Sequence, residues 1–112
     1  MKNSESLKKN KDFQVVYRKR ISRANRLLIM YISKNQLVNN RLGISVSKKV
    51  GNSVVRHRVT RLIRESYRLN EQSFKIGFDI VVIAREQARE SSYAEIEDAI
   101  IHLAKMQRII GS

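Results

Sequence analysis

The stretch Val46-Ser-Lys-Lys-Val-Gly-Asn-Ser-Val-Val-Arg-His-Arg-Val-Thr-Arg-Leu-Ile-Arg-Glu65 predicts the end of a strand, a short loop and an arginine-rich helix. From Lys48 to Arg68, seven residues are Lys or Arg and one is acidic, in a chain whose net charge is +13. At roughly 100° per residue, the arginines fall on one side of the helix. The other side holds Val55, Val59, Leu62, Ile63, Ser66 and Leu69. We therefore expect one face in the core and the opposite face to present guanidinium groups.

The first turns of this helix carry bases where the helix dipole favours acids. A helix N-terminus has partial positive charge and free N–H groups, yet no acid precedes Glu65 in this stretch. A phosphate would accept hydrogen bonds from both the N–H groups and the arginines. We interpret the helix as a polyanion-binding element, the alternative being a solvated basic face. The residues assigned to this surface are Lys48, Lys49, Arg56, His57, Arg58, Arg61, Arg64 and Arg68.

Composition is that of one globular domain with a polyanionic partner. The 112 residues suffice for a single modest core, and a pI near 10.7 makes nucleic acid the leading partner. The chain has no Cys, and no apolar run approaches the roughly 18 residues of a membrane span. These features predict a soluble, cytoplasmic protein with no membrane association, and no protein partner is evident. Residues 70–112 hold five bases and seven acids, so we expect the preceding basic part to face the polyanion.

The segments before this stretch predict a helix and an antiparallel pair of strands. Residues 1–9 are expected to be a flexible basic N-terminus, and residues 10–112 a single RNA-binding domain. Asn10 is a candidate N-cap for a helix that ends near Arg20. Residues 21–26, 27–33 and 41–47 follow as strands, the last as the antiparallel return of the one before it.

Strand alternation separates a core face from a second face of the sheet. Leu28, Met30 and Ile32 should join Leu42, Ile44 and Val46 beneath the arginine-rich helix. On the other face the second strand places only the small residues Gly43, Ser45 and Ser47. Tyr31 should lie on that face with Leu27 and Ile29. If the first helix borders this face, aromatic rings would line a groove suited to stacked bases. The alternative is that the rings simply cover the sheet. The groove residues so assigned are Phe13, Tyr17, Tyr31, Ser45 and Ser47, with Gly43 in its floor.

The C-terminal third is predicted to have a structural role. Residues 79–84 predict a strand buried on both faces, in the same sheet as residues 41–47. Ser92 and Glu95 match a capping box for a last helix, with Lys105 and Arg108 at its end. Its expected buried stripe is Ile96, Ala99, Ile100, Leu103 and Ile110, and Gly111 suits the helix terminus.

Residues for protein-based catalysis are not brought together by the sequence. The ten acids do not cluster as the convergent carboxylates of a two-metal nuclease would, and we assign no catalytic or metal-binding residue. His57 is interpreted as a hydrogen-bonding contact and His102 as a surface residue. Gly51 stands alone, so no glycine-rich nucleotide loop is present. The sequence predicts a binding protein.

The central stretch resembles the signature of the protein subunit of bacterial ribonuclease P. The similarity extends to Lys11-Asp-Phe-Gln-Val-Val-Tyr17, Leu42-Gly-Ile-Ser-Val46 and Asp79-Ile-Val-Val-Ile-Ala-Arg85. It also covers Ala24-Asn-Arg26 and the Ser-Tyr-Ala-Glu start of the last helix. Two departures from the family pattern are His57, where Asn is usual, and Thr60, where Lys is frequent.

The resemblance implies an α+β domain in the order α-β-β-β-α-β-α, with a left-handed β-α-β crossover through the arginine-rich helix. It implies that an RNA subunit cuts the 5′ leader from precursor tRNA with Mg²⁺ held by RNA and substrate. The protein would bind that RNA through the helix and the leader through the aromatic groove. Among alternatives, a stand-alone, ribosome-associated RNA-binding protein stays open. A DNA-binding regulator lacks the short preceding helix of a helix-turn-helix, and an independent nuclease lacks carboxylates.

Overall fold

The computed structural model describes residues 4–111, which form five strands and three helices. In chain order these are β1 (Ser4–Ser6), α1 (Asn10–Lys19), β2 (Ser22–Ala24), β3 (Leu28–Lys34), β4 (Asn40–Ser45), α2 (Ser53–Asn70), β5 (Phe78–Ala84) and α3 (Tyr93–Met106). Short 3₁₀ helices, Glu71–Ser73 and Glu86–Glu90, flank β5. The α+β class is confirmed, with one strand more than the resemblance implies.

The sheet is mixed and has the strand order β1-β4-β5-β3-β2. As predicted, α2 connects two strands of one sheet, since β4 and β5 are parallel neighbours. The expectation that β4 pairs with β3 is wrong, because β5 lies between them and bonds antiparallel to β3. The physical reason is that Ile80, Val81 and Val82 are apolar on both faces, and a central strand buries both.

The main core lies between the sheet and the helices α2 and α3. Leu28, Met30 and Ile32 of β3 are buried there, as predicted, and Leu42 joins them while Ile44 packs against the cluster. The predicted helix residues Val59 and Ile63 of α2 and Ile96, Ala99, Ile100 and Leu103 of α3 complete this layer.

Three apolar positions differ from the sequence prediction. Leu27 lies in the main core, because β3 begins one residue later and Asn25 Oδ1 accepts hydrogen bonds from the Leu27 and Leu28 N–H groups. Leu69 of α2 is 58% exposed, whereas Tyr67 is buried. The Tyr67 ring packs at 4.9 Å from that of Phe74, and its hydroxyl bonds with Ser4 and Asn40. The buried stripe of α2 therefore extends toward Tyr67.

The other face of the sheet is covered by α1. Val16 is fully buried against Val81 and Leu7, with Phe13, Tyr17 and Tyr31 packed around them. Helix α1 begins at Asn10, so the preceding Lys9 takes the N-cap position that the sequence assigns to Asn10. A three-layer arrangement follows, with α1 on one face and the pair α2 and α3 on the other.

The N-terminal segment corrects the prediction that residues 1–9 are flexible. Ser4–Ser6 forms β1, which pairs parallel to β4, and Leu7 is 5% exposed in the cluster under α1. The Leu7 N–H donates to Leu42 O, so the apolar side chain and the backbone both bind to the folded domain. Residues 1–3 of that prediction lie outside the described residues.

Helix α3 begins as predicted and ends earlier. The reciprocal hydrogen bonds of the capping box between Ser92 and Glu95 are both present. The helix stops at Met106, so Ile110 is not part of its stripe but bridges to Phe74. Arg108, not Gly111, takes the left-handed conformation that closes the helix, with φ 59°.

Candidate nucleic-acid interface

Helix α2 begins with its dipole uncompensated by acids. Asn52 is the N-cap, and its side-chain oxygen accepts from the Val55 N–H at 3.0 Å. The first turn contains no acidic residue, whereas the first turns of α1 and α3 contain Asp12 and Glu95. The positive end of the α2 dipole is therefore not offset by an acidic side chain of its own first turn.

Five of the eight residues assigned to the basic surface are exposed without an ion pair to any described carboxylate. Lys48 and Lys49 lie in the turn between β4 and α2, and the others project from the helix. These five are Lys48, Lys49, His57, Arg61 and Arg64. The sequence therefore predicted correctly which side of α2 avoids the core.

Arg56 lies at the edge of this surface and carries an unpaired group. Its Nε atom is buried and has no hydrogen-bond partner among the described residues. The side chain lines an open cleft of about 260 Å³, together with His57 and Thr60. Leaving a buried donor unpaired costs about 1–3 kcal/mol. His57 and Thr60, the two departures noted with the family resemblance, thus border the same cleft as the Arg56 side chain.

Arg58 and Arg68 have partners within the protein. Arg58 donates to the main-chain oxygens of Arg89 and Ser91, which connect β5 to α3. Arg68 donates to both carboxylate oxygens of Glu65 one turn earlier, and these hydrogen bonds lower the pKa of Glu65. Both arginines are consequently less free to meet a ligand than the sequence indicates.

The aromatic residues assigned to the groove come together between α1 and the sheet. The ring centroids of Phe13 and Tyr17 are 6.3 Å apart, and those of Tyr17 and Tyr31 are 5.0 Å apart in an edge-to-face arrangement. All three side chains are half-buried. Burial raises the pKa of Tyr17, the Tyr31 phenol adds to this, and a hydrogen bond with Ser45 opposes it.

Phe13 closes part of the predicted floor. A Cβ atom built at Gly43 would lie 2.6 Å from Phe13 Cζ, so the ring rests directly on the glycine backbone. Here the second reading, in which rings cover the sheet, describes the structure. Ser45 ends β4 and is half-buried, while Ser47 lies beyond the strand and is exposed.

The accessible floor is a row of residues across four strands. Ala24 lies opposite Ile29, Ile29 opposite Ile83, and Ile83 opposite Ser45. Residues directly opposite in neighbouring strands share a face, and all four are half-buried or exposed. Ile83 and Ala24 were not predicted to be groove residues, because the row forms only when β5 lies beside β3.

Arg41 and Asp79 lie side by side on the same face of the sheet. Arg41 Nε donates to Asp79 Oδ1 at 2.8 Å and Nη2 to Oδ2 at 2.6 Å, and Asn35 donates to the same carboxylate at 2.9 Å. Asp12 of α1 lies 3.8 Å from Arg41. The paired carboxylate raises the pKa of Arg41. This network joins α1 to β4 and β5, and no sequence motif indicated it.

Two further features bear on the class of protein. Within residues 4–111, no three His, Asp or Glu side chains come close enough together to hold a metal ion. No helix in that range has the length and apolarity to cross a membrane. The sheet, the arginine-bearing helix and the aromatic cluster define a small basic α+β domain.

Comparison with known proteins places this domain in a family. The family model for ribonuclease P matches residues 1–108. The ribonuclease P protein component of Lachnoclostridium phytofermentans is 58% identical over 109 residues, which cover 97% of this chain and 94% of that one. That of Alkaliphilus metalliredigens is 56% identical over 111 residues, covering 99% and 100%. The chain belongs to the ribonuclease P protein family.

Solved structures agree with this membership. The RNase P protein of Staphylococcus aureus superposes with a TM-score of 0.87 at 38% identity, over 95% of this chain and 97% of that chain. The Thermotoga maritima RNase P protein gives 0.83 at 30% identity, over 96% and 99%. The shared architecture thus extends over nearly the whole of each chain.

Proposed function

We propose that this protein binds the catalytic RNA subunit of ribonuclease P and the 5′ leader of precursor tRNA. In that role it aids the endonucleolytic removal of the leader that gives mature tRNA 5′ ends. Family membership supports the coarse assignment, a protein component of an endoribonuclease. The two surfaces described above support separate binding sites, with the RNA subunit on α2 and the leader on the groove.

The observation that carries the RNA-subunit contact is the positive charge on α2 that no acidic residue of its first turn offsets. Its first turn lacks acids, its exposed side carries Arg61 and Arg64, and Arg56 Nε is buried without a partner in the described chain. A phosphate would accept from the guanidinium and complement the dipole at once. Binding would also release counterions from the phosphate backbone as the exposed arginines neutralise it, which favours association most at low salt.

The leader contact is assigned to the open row beside the aromatic pair. Ile29 and Ile83 offer a flat apolar surface, and Tyr31 and Tyr17 stand at its border. Bases of a single strand can stack on or pack against such a surface with little sequence preference. Lys48 and Lys49 follow the strand that ends at Ser45. The basic surface assigned to the RNA subunit therefore begins just after the strand that ends this floor.

The chemistry is assigned to the RNA. We propose that Mg²⁺ is held by the RNA subunit and substrate, because the described protein residues do not fit it as ligands. Asp79, the buried carboxylate of β5, already accepts hydrogen bonds from Arg41 and Asn35. The protein's contribution is to neutralise phosphate charge and to hold the leader.

A stand-alone RNA-binding protein of the ribosome is the second reading. It shares the basic surface and differs in having no use for a leader groove. The row of Ala24, Ile29, Ile83 and Ser45 favours the ribonuclease P assignment, because it provides a second surface suited to unpaired bases.

Reconstitution tests the proposal. The protein is added to a bacterial ribonuclease P RNA at low Mg²⁺, and release of the 5′ leader from precursor tRNA is followed. We expect cleavage at the mature 5′ end to rise with protein and to vanish without the RNA. Binding to the RNA with no change in rate or substrate affinity would favour the stand-alone reading. Specific cleavage by the protein with Mg²⁺ alone would overturn the assignment of chemistry to RNA.

A further inference from the structure

A second group of cations lies where α3 ends, outside both surfaces assigned above. Lys75, Lys105 and Arg108 line one open cleft of about 380 Å³, whose remaining wall is Ile110 and Gly111. Lys105 belongs to the last turn of α3, and Lys75 precedes β5. The Lys75 N–H donates to Ile109 O and the Gly111 N–H to Ser73 O, so backbone bonds hold the two segments together.

The three cations form no close ion pair among residues 4–111, although Lys105 also lines a neighbouring cleft that contains Glu97 and Asp98. None forms an ion pair within 4.0 Å with a described carboxylate. Residues 70–112 contain only five Lys or Arg, against seven acids, and three of those five bases line this cleft. Arg85 and Arg89, the other two bases of this third of the chain, do not line the cleft.

Arg108 occupies a backbone position that glycine fills at lower cost. The Ile109 N–H donates to Ala104 O at 3.0 Å and the Arg108 N–H to Lys105 O at 3.1 Å, which is the Schellman pattern. Arg108 is the left-handed residue of that pattern, with φ 59°. A residue with a Cβ is disfavoured there relative to glycine. Arg20 takes the same conformation at the end of α1, so what distinguishes Arg108 is its place in one cleft with Lys75 and Lys105.

Compensation of the helix dipole accounts for only part of this charge. The C-terminus of a helix carries roughly half a unit of negative charge, and one cation suffices to offset it. Three cations at the end of α3 leave an excess of positive charge beside an apolar wall. Such a site suits a ligand that carries negative charge and hydrogen-bond acceptors together.

We propose that the cleft of Lys75, Lys105 and Arg108 binds a phosphate of an RNA backbone. This inference rests on the proposed function, because it takes RNA as the partner, and it adds a site that neither α2 nor the groove contains. Helix α2 has 18 residues and is therefore about 27 Å long. The 3₁₀ helix and Lys75 follow its C-terminal end, so a phosphate here is remote from those at the N-terminus of α2.

The test is substitution of Arg108 by glycine, which removes the cation and the backbone strain together. Binding of the ribonuclease P RNA is measured over a range of salt concentrations, alongside thermal unfolding. We expect Arg108→Gly to keep or raise the melting temperature, to weaken RNA binding roughly threefold to tenfold at low salt, and to reduce the salt slope by about one. Lys75→Gln should weaken binding in the same direction.

Arg20→Gly is the matched control. Arg20 also takes a left-handed conformation at a helix end, with φ 57°, but it does not line the cleft. We expect this variant to leave the salt slope for the RNA subunit unchanged. An equal reduction with Arg20→Gly would show an effect of total charge and would overturn the site.

Two further comparisons identify the RNA and separate the two proposals. If the RNA subunit supplies the phosphate, Arg108→Gly weakens binding of the protein to the RNA subunit and leaves the affinity for precursor tRNA unchanged. If precursor tRNA supplies it, Arg108→Gly weakens binding of precursor tRNA to the assembled enzyme and leaves the affinity for the RNA subunit unchanged. No effect in either measurement overturns the site. Arg61→Ala is measured in parallel: if it weakens RNA binding while Arg108→Gly does not, this inference fails and the proposed function stands. If neither variant has an effect, both fail.

Discussion

Arg58 of α2 donates a hydrogen bond to the main-chain oxygen of Ser91, at 2.5 Å. Ser91 is buried and directly precedes Ser92, the N-cap of α3. The guanidinium also reaches Arg89 O at 3.3 Å, and so it joins α2 to the start of α3. An arginine that the sequence assigns to the RNA surface thus has a partner in the fold itself.

Replacing Arg58 by alanine should lower the stability of the free protein. Hydrogen bonds from charged donors contribute about 1.5–3 kcal/mol each, and partial exposure reduces this. We expect Arg58→Ala to lower the free energy of unfolding by about 1–2 kcal/mol, measured by urea denaturation. Arg58→Lys should recover part of the loss. A stability within about 0.5 kcal/mol of the parent protein would contradict the role of this contact.

Arg61→Ala should weaken RNA binding and leave the stability of the free protein nearly unchanged. Arg61 is exposed and forms no ion pair with a described carboxylate, so its removal should change the free energy of unfolding by less than about 0.5 kcal/mol. Binding to the RNA subunit should weaken, and the salt slope should fall by about one for each lost phosphate contact. Unchanged affinity and salt slope would remove the central evidence for docking through α2.

Gly43→Ala should displace the Phe13 ring from the sheet. The new Cβ would lie 2.6 Å from Phe13 Cζ, closer than real atoms approach, and overpacking of this kind costs about 1–3 kcal/mol. The unfolding free energy should fall accordingly. Adding Phe13→Leu should relieve the clash, so the two substitutions should be non-additive in a double-mutant cycle. Additive losses would show that ring and glycine are not coupled.

Local patterns predicted the parts of the fold that depend on local interactions. The capping box of α3 needs only residues three apart, and the facing of Leu42 and Ile44 needs only strand alternation. Both are observed. The place of β5 between β3 and β4 depends on which strand gains most from burial on both faces. That comparison involves the whole sheet and is not contained in any one segment.

In the candidate site, too, local patterns predicted some features and long-range contacts decided others. The exposed side of α2 follows from helical periodicity, so the exposure of Arg61 and Arg64 was predicted correctly. The hydrogen bonds of Arg58 join residues more than thirty positions apart, and charge alone could not distinguish a backbone partner from RNA. Ile83 entered the groove floor only because β5 lies beside β3. Long-range pairing, not residue type, decided these cases.

Tyr67 should make stability fall in alkaline solution. Burial raises the pKa of Tyr67 above its ordinary value of 10.0. Below pH 10 the phenol is protonated in both states, so it adds no pH dependence. As pH rises past 10 the unfolded chain loses the proton first, and the folded state is therefore destabilised. In Tyr67→Phe we expect a shallower fall in unfolding free energy above pH 10; an identical slope would exclude this residue as a cause.

The groove is tested by comparing precursor and mature tRNA. Tyr31 and Tyr17 border the open floor, and a ring that packs on a base contributes about 1–3 kcal/mol. We expect Tyr31→Ala or Tyr17→Ala to weaken binding of precursor tRNA to the assembled enzyme by that amount, with mature tRNA unaffected. Ile83→Ser, which keeps the ring pair, should weaken precursor binding in the same selective way if the leader crosses β5. Equal losses for precursor and mature tRNA would place the leader elsewhere, because only the precursor carries it.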